Sequence, residues 1–223
     1  MPDPLSPIER RVLGVLVEKA LTAASPEPLS LNAIVTGSNQ KSNRDPVTNL
    51  DEPEVDTTLT SLQQKGLVMK VTGGRVERWR HNLYDAWQVS KPELAFLAEL
   101  LLRGPQTLAE ARARASRMEP LDQGTVSAAS KGLVDRGYMI WLNPEGKRGA
   151  KLSHGFHSPE ELDELRSGRS VVSTSAEAPA GAMDQMSDLQ GRLQQALAEI
   201  TKLQAEVEAL RSEMATLRAS TAA

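Results

Sequence analysis

Leu5-Ser6-Pro7-Ile8-Glu9 and, further along, Ser90-Lys91-Pro92-Glu93 are two copies of one helix-start signal. In the first, Ser6 is placed to cap a helix, Pro7 takes the first helical position, and Glu9 closes a capping box. The second has the same Ser-x-x-Glu box with its proline one position later. Apolar residues follow both at helical spacing: Ile8, Val12, Val15 and Leu16, then Leu94, Leu97, Ala98 and Leu101. Each half then ends a helix at a glycine and enters a β-like run, Lys65-Gly66-Leu67-Val68-Met69-Lys70-Val71 and Arg136-Gly137-Tyr138-Met139-Ile140-Trp141-Leu142. Glycine just past a helix end takes the left-handed conformation that stops it. Between these landmarks lie two more helices per half. One pair is capped by Ser30 and by Thr107, the latter boxed by Glu110. The other pair starts near Asp51 and Asp122. Tight turns follow each β-run, Thr72-Gly73-Gly74-Arg75 and Asn143-Pro144-Glu145-Gly146, and lead into a second strand. Helix, helix, helix, strand, turn, strand is the order of a winged helix.

The expected fold is therefore mainly α with small β-hairpins. Two tandem winged-helix domains, residues 6–88 and 89–157, precede a linker at 158–182 and a C-terminal coiled-coil helix at 183–218. The first domain is longer by an insertion, Asn39 to Leu50. Both first helices are apolar around much of their circumference (Val12, Leu13, Val15, Leu16, Val17; Phe96, Leu97, Leu100, Leu101, Leu102), so each is expected to be buried on two sides. A domain or subunit interface, or a thicker single core, would supply the second side.

The tail supports an assembly. Ser167 to Ala182 is small and Pro/Gly/Ser-rich, as flexible linkers are. Beyond it two seven-residue series interleave: Met186, Leu193, Ile200, Val207, Met214, and Leu189, Ala196, Leu203, Leu210, Leu217. That 3-4 alternation specifies a left-handed coiled coil, about 54 Å long for about 36 residues. β-branched Ile200 and Val207 at a, with Leu at d, favour a parallel pair. There Glu206 would meet Arg211, and Glu213 would meet Arg218, of the other chain. The expected dimer contacts are Met186, Leu189, Leu193, Ile200, Leu203, Val207, Leu210 and Leu217.

Several strings also resemble a family of bacterial proteins. Leu29-Ser30-Leu31-Asn32-Ala33, Asn39-Gln40-Lys41-Ser42-Asn43-Arg44-Asp45-Pro46, Trp79-Arg80-His81-Asn82 and Glu99-Leu100-Leu101-Leu102-Arg103-Gly104-Pro105-Gln106-Thr107 are similar to the YceH family over most of residues 5–142. The resemblance implies tandem winged helices and leaves the molecular role open. The second wing departs from it. Members tend to carry an Arg/Glu/Tyr-rich strand ending in His, whereas this chain has Gly146-Lys147-Arg148-Gly149-Ala150-Lys151-Leu152-Ser153-His154-Gly155-Phe156-His157.

Composition narrows the function. The 223 residues are 39% hydrophobic and 25% charged, an ordinary globular balance. Zero cysteines remove disulfides, thiolate metal sites and cysteine nucleophiles, and suit a reducing compartment. Met1-Pro2-Asp3-Pro4 has no signal-peptide character, and the apolar run Ala95 to Leu102 is interrupted by Glu99 and too short for a bilayer, so a cytoplasmic protein is expected. The net charge of −3 is unevenly spread. Residues 1–157 hold 20 Lys and Arg against 18 Asp and Glu, and residues 158–223 hold 6 against 11. Any nucleic-acid surface must therefore be a local patch.

No phosphate loop, nucleophile elbow, dinucleotide fingerprint or zinc-protease motif is present, and no enzyme activity or cofactor is expected. His154 and His157 lack a third ligand and are expected to face solvent at the wing end. Asp51, Glu52, Glu54 and Asp56 suit a helix start and would repel phosphates there, whereas Asp122-Gln123-Gly124-Thr125-Val126-Ser127 is nearly uncharged. The candidate DNA contacts are Lys41, Asn43 and Arg44 in the insertion, Arg75, Arg78 and Arg80 on the first wing, and Lys147 and Arg148 on the second. Lys70, Arg112, Arg114, Arg117 and Lys151 add to the same patches. Strand alternation puts Arg78 and Arg80 on one face with Trp79 on the other. The polar string Asn39 to Pro46 suits either phosphate contact or a self-capped loop. The expectation is a DNA-binding, regulatory homodimer. The alternative is a protein-interaction adaptor that does not bind DNA.

Overall fold

A computed structural model describes residues 2–23, 28–72 and 76–167. The linker beyond residue 167 and the heptad segment, with every expected dimer contact from Met186 to Leu217, lie outside the described residues. So do Gly73, Gly74 and Arg75. The described chain is mainly helical with two small antiparallel sheets.

The elements run α1 (Pro7–Thr22), β1 (Leu29–Ser30), α2 (Leu31–Ser38), α3 (Glu52–Gln64), β2 (Val68–Val71), β3 (Arg78–His81), α4 (Leu83–Trp87) and α5 (Lys91–Arg103). They continue β4 (Gln106–Thr107), α6 (Leu108–Ala115), α7 (Gln123–Asp135), β5 (Met139–Trp141), β6 (Lys151–His154) and α8 (Pro159–Ser167). The repeat is local chemistry made visible. Ser6 accepts from Glu9 N–H at 3.2 Å while Glu9 accepts from Ser6 N–H at 2.8 Å. Asp51 and Glu54 form the same box, as do Thr107 and Glu110, and Glu93 accepts from both N–H and Oγ of Ser90. Asp122 caps α7 and Ser30 caps α2. Each cap satisfies backbone N–H groups that the first helical turn leaves unpaired.

The two glycine stops also agree with the sequence. Gly66 and Gly137 sit at φ 72° and 73°. Behind them Leu67 N–H donates to Leu62 O and Tyr138 N–H to Leu133 O, the six-to-one bond of a Schellman end.

Two-residue strands were not legible in the sequence. β1 and β4 add a third strand to each hairpin, giving the orders β1-β3-β2 and β4-β6-β5. The registers match: Leu29 pairs with Trp79 and Gln106 with Leu152, so buried Trp79 and Leu152 hold one position in the two units. Likewise Arg78 corresponds to Lys151, and Arg80 to Ser153.

The second buried side of the two apolar helices is a mutual one. α1 packs along α5, and the two sets of core residues merge into one cluster within a single unit. The closest approach is at Gly14, where a Cβ would lie 2.8 Å from Cγ of Leu102. Trp87 of α4 stacks on Phe156 at 4.6 Å, and Leu5 N–H donates to Phe156 O, so the first unit also grips the end of the second hairpin.

The stretch read as a linker begins instead with α8. Ser158 and Glu161 form one more Ser-x-x-Glu box, and Glu161 then reaches α1, where both its oxygens accept from Arg10 at 2.7 and 2.9 Å. Leu162 is buried beneath it.

Candidate nucleic-acid interface

The insertion between α2 and α3 is a braced loop. Asn39 closes its ends, donating to Leu50 O at 2.7 Å and accepting from Leu50 N–H at 2.8 Å. Asn43, at φ 59°, accepts from Arg103 of α5 at 2.8 Å, and Asp45 N–H donates to Leu102 O. The loop is thus tied to the second unit as well as to its own.

Arg44 does not face solvent. Its side chain is fully buried, donating to Gly37 O at 2.9 Å and pairing both terminal nitrogens with Glu18 of α1. The phosphate role expected of Arg44 is therefore corrected: a guanidinium committed on both edges within the core has no donor left to offer. Burial alone would raise the Glu18 carboxyl, but Arg44 and Arg117 hold it below the ordinary carboxylate range. Arg117 bridges Glu18 at 2.6 Å and Glu99 of α5 at 3.5 Å, while Arg103 approaches Glu99 at 3.1 Å. For Glu99 burial wins over these cations and the carboxyl is raised. Arg11 donates to Ser38 O and Pro46 O, and burial beside Arg44 lowers it to about 10. This buried ionic seam escaped the sequence reading. Its one signal was a glutamate, Glu99, inside the apolar run Ala95 to Leu102.

The histidines are also corrected. His154 and His157 are 3% and 7% exposed, with rings stacked at 3.9 Å. Arg10 donates to His157 Nδ1 at 2.8 Å, so the proton sits on Nε2 and points to Ser153 Oγ, also at 2.8 Å. The His157 ring meets α1, far away in sequence, through Arg10, and the His154 ring packs against His157 and Phe156. With Glu161 Oε2 3.3 Å from Nδ1, the group has the outline of a Ser-His-Glu relay. It is not wired as one: Ser153 accepts rather than gives its proton, and it is fully buried from any substrate. Burial, with Arg10 assisting, lowers His157 to about 4 despite Glu161, and pushes His154 well below its ordinary value.

The remaining expected contacts are on the surface. Lys41 is exposed at the loop tip. Arg78 and Arg80 are exposed on the outer face of β3 with Trp79 buried behind them, as alternation required. Arg78 donates to Pro28 O at 3.1 Å, and Arg80 lies 3.8 Å from the Met69 sulfur. Lys147 and Arg148 are exposed in the turn between β5 and β6, and Lys151 follows on β6. One cation was undervalued in sequence. Arg112 of α6 is exposed and donates its Nε to Leu121 O at 3.2 Å, which sets its guanidinium beside the start of α7.

The two third helices differ in charge. α3 exposes Glu52, Glu54 and Asp56 beside its cap Asp51, whereas α7 exposes Gln123, Gly124, Ser127 and Ala128, and its Lys131 pairs with Asp135 at 2.6 Å. A shallow groove of about 330 Å³ runs between α5 and α7, lined by Ser90, Pro92, Glu93, Thr125, Ala128 and Ala129. Among the described residues no group of three His, Asp or Glu could hold a metal ion, and no helix is long and apolar enough to cross a membrane.

Comparison with known proteins covers the same region. A UPF0502 protein of Rhodopirellula baltica is 43% identical over 162 residues, 72% of this chain and 68% of the relative. One from Azotobacter vinelandii is 38% identical over 181 residues, 80% of this chain and 81% of the relative. One from Geotalea daltonii is 56% identical over 117 residues, 52% of this chain and 54% of the relative. A family model described as "Protein of unknown function, DUF480" matches residues 5–143, from just before α1 to just past β5, and the chain belongs to that family.

Proposed function

We propose that each three-helix, three-strand unit is a winged helix and that the protein binds double-stranded DNA as a regulatory homodimer. In it the phosphates meet exposed, unpaired cations of the hairpin that faces the duplex. One observation carries this reading. Of the cations that the fold uses internally, Arg10, Arg44, Arg103 and Arg117 are each paired with a glutamate and Arg11 is held by two backbone carbonyls, whereas Arg78, Arg80, Lys147 and Arg148 are exposed and have no carboxylate partner among the described residues. Unpaired surface cations on projecting hairpins are what phosphate contact requires. The heptads from Met186 to Leu217 would join two chains as a parallel coiled coil, so that two bodies meet one duplex at raised effective concentration. The absence of cysteine fits a reducing, cytoplasmic setting.

A mobility-shift titration on long duplex DNA across salt tests the proposal, run with the full chain and with a chain lacking residues 183–223. Affinity should fall steeply with salt, and the truncated chain should bind more weakly. The exposed acidic start of α3 favours a second reading, an adaptor for a basic protein surface. In that case no duplex is shifted at low salt, and a pull-down partner disappears when Asp51 to Asp56 are neutralised.

A further inference from the structure

The two hairpins offer cations on different ground. Around α7 the surroundings favour an anion's approach. Arg112 sits at its start, and Lys147, Arg148 and Lys151 stand on the hairpin that follows it in the chain. The acids nearby are Asp122 and Glu110, which are occupied as caps, Glu145 on the same turn, and Glu119, Asp135 and Glu93, which are paired with Lys91, Lys131 and Arg136. The exposed face of α7 is built from small or amide side chains, Gln123, Gly124, Ser127 and Ala128, which let a helix backbone come close to a groove. Around α3 the charges at the helix start differ. α2 and α6 both start directly after their two-residue strands, so Val35 holds the place of Arg112. The exposed first turns of α3 present Asp51, Glu52, Glu54 and Asp56. Asp51 and Glu54 are engaged in their own box, as Asp122 and Glu110 are, but Glu52 and Asp56 have no cationic partner among the described residues and would face phosphates across a groove.

Resting on the DNA reading, we propose that only the second unit faces the duplex. It lays α7 along the major groove, with Arg112, Lys147 and Arg148 on the flanking phosphates, and the first unit is held off by the carboxylates of α3. The contacts are to backbone rather than to base edges, because the exposed face of α7 carries only one amide side chain that reaches far. Binding should therefore be tolerant of sequence. A helix in the major groove also distinguishes nucleic acids, since the A-form groove of an RNA duplex is too deep and narrow to admit it.

Full-length chain and two variant sets are titrated on a long mixed-sequence DNA duplex between low and physiological salt. Arg112→Gln/Lys147→Gln/Arg148→Gln should weaken low-salt binding at least tenfold. It should also flatten the log–log salt slope by about 2 to 3, near one for each phosphate no longer neutralised. Arg78→Gln/Arg80→Gln should stay within about twofold of the parent, and an RNA duplex should compete poorly. If Arg112→Gln disturbs folding, Lys147→Gln/Arg148→Gln alone carries the test, since both side chains stand free in a turn. Equal weakening by the two sets, weakening confined to Arg78 and Arg80, or an RNA duplex that competes as well as DNA would each overturn the assignment. A parent chain that shifts no duplex at all would instead remove the DNA reading beneath it, and that outcome is read before any variant is run.

Discussion

Arg44 belongs to the string whose polar character suited phosphate contact, yet its guanidinium lies inside, across both oxygens of Glu18. A buried pair of this kind adds little net stability over an apolar one, but removing one partner leaves a bare charge in the core. Arg44→Ala should therefore lower stability by about 3–5 kcal/mol in denaturant unfolding, while Lys41→Ala, at the exposed tip of the same loop, should leave it within about 0.5 kcal/mol. A stable Arg44→Ala chain would show that the pair is not what holds the loop. The histidines make a second residue-scale prediction. Burial depresses His157 and His81 to about 4 and lowers His154 well below its ordinary value, so the folded chain excludes protons that an unfolded chain binds near pH 6.5. Stability is complete above that pH and falls as pH drops from 6.5 toward 4, by up to about 1.4 kcal/mol per unit for each histidine. Glu9, Glu18 and Glu161 are held low, so their contribution is lost only at lower pH. Melting temperature should thus fall between pH 7 and 5, and His157→Gln should make that decline shallower. An unchanged decline in the variant would show that His157 stays neutral in both states.

At the scale of elements, what the sequence disclosed was what it encodes within a few residues. The capping boxes at Ser6, Ser90 and Thr107, the caps at Asp51 and Asp122, and the stops at Gly66 and Gly137 all depend on neighbours three to five positions away. β1 and β4 escaped notice because two residues have no periodicity, and their pairing is set by distant partners at Trp79 and Leu152. The candidate interface divides in the same way. Exposure of Arg78 and Arg80 followed from alternation alone, but burial of Arg44 needed Glu18, 26 positions upstream, and burial of His157 needed Arg10, 147 positions upstream. α8 is the instructive miss, because Ser158-Pro159-Glu160-Glu161 is the same signal as Ser6-Pro7-Ile8-Glu9, and it lies just ahead of the small-residue run from Ser167 whose linker reading was carried back to residue 158. Glu161 serves α8 twice, closing its box and holding Arg10. Glu161→Gln should leave a neutral box but remove the charged bond to α1, costing about 1–3 kcal/mol locally. Hydrogen exchange over residues 158–167 should then quicken while α3 keeps its protection. Equal loss in both helices would show that α8 has no separate stability.

At the scale of the molecule, the question is whether two repeats make two folding units or one. Among the contacts that cross between them are α1 along α5 at Gly14 and Leu102, the ionic seam from Glu18 through Arg117 to Glu99, and Trp87 stacked on Phe156. Each joins residues that would be solvent-facing in an isolated repeat, and the seam charges would then be hydrated. Separating the repeats would expose the apolar faces of two helices at once, at about 25 cal/mol per Å² of apolar surface. The separated state is therefore higher in energy than either intact unit can offset locally, and unfolding should be all-or-none. Trp79 and Trp87 lie in the first repeat and Trp141 in the second. Tryptophan fluorescence and far-ultraviolet circular dichroism should therefore give one coincident transition. Gly14→Leu places a branched side chain where even a Cβ meets Leu102 at 2.8 Å, and Leu102 is fully buried with nowhere to retreat. Overpacking of this kind costs about 1–3 kcal/mol. Because the strain sits on the shared face, it should lower the transition for both repeats together. A variant in which the Trp141 signal keeps its original midpoint while the first repeat melts earlier would mean that the repeats are beads on a chain.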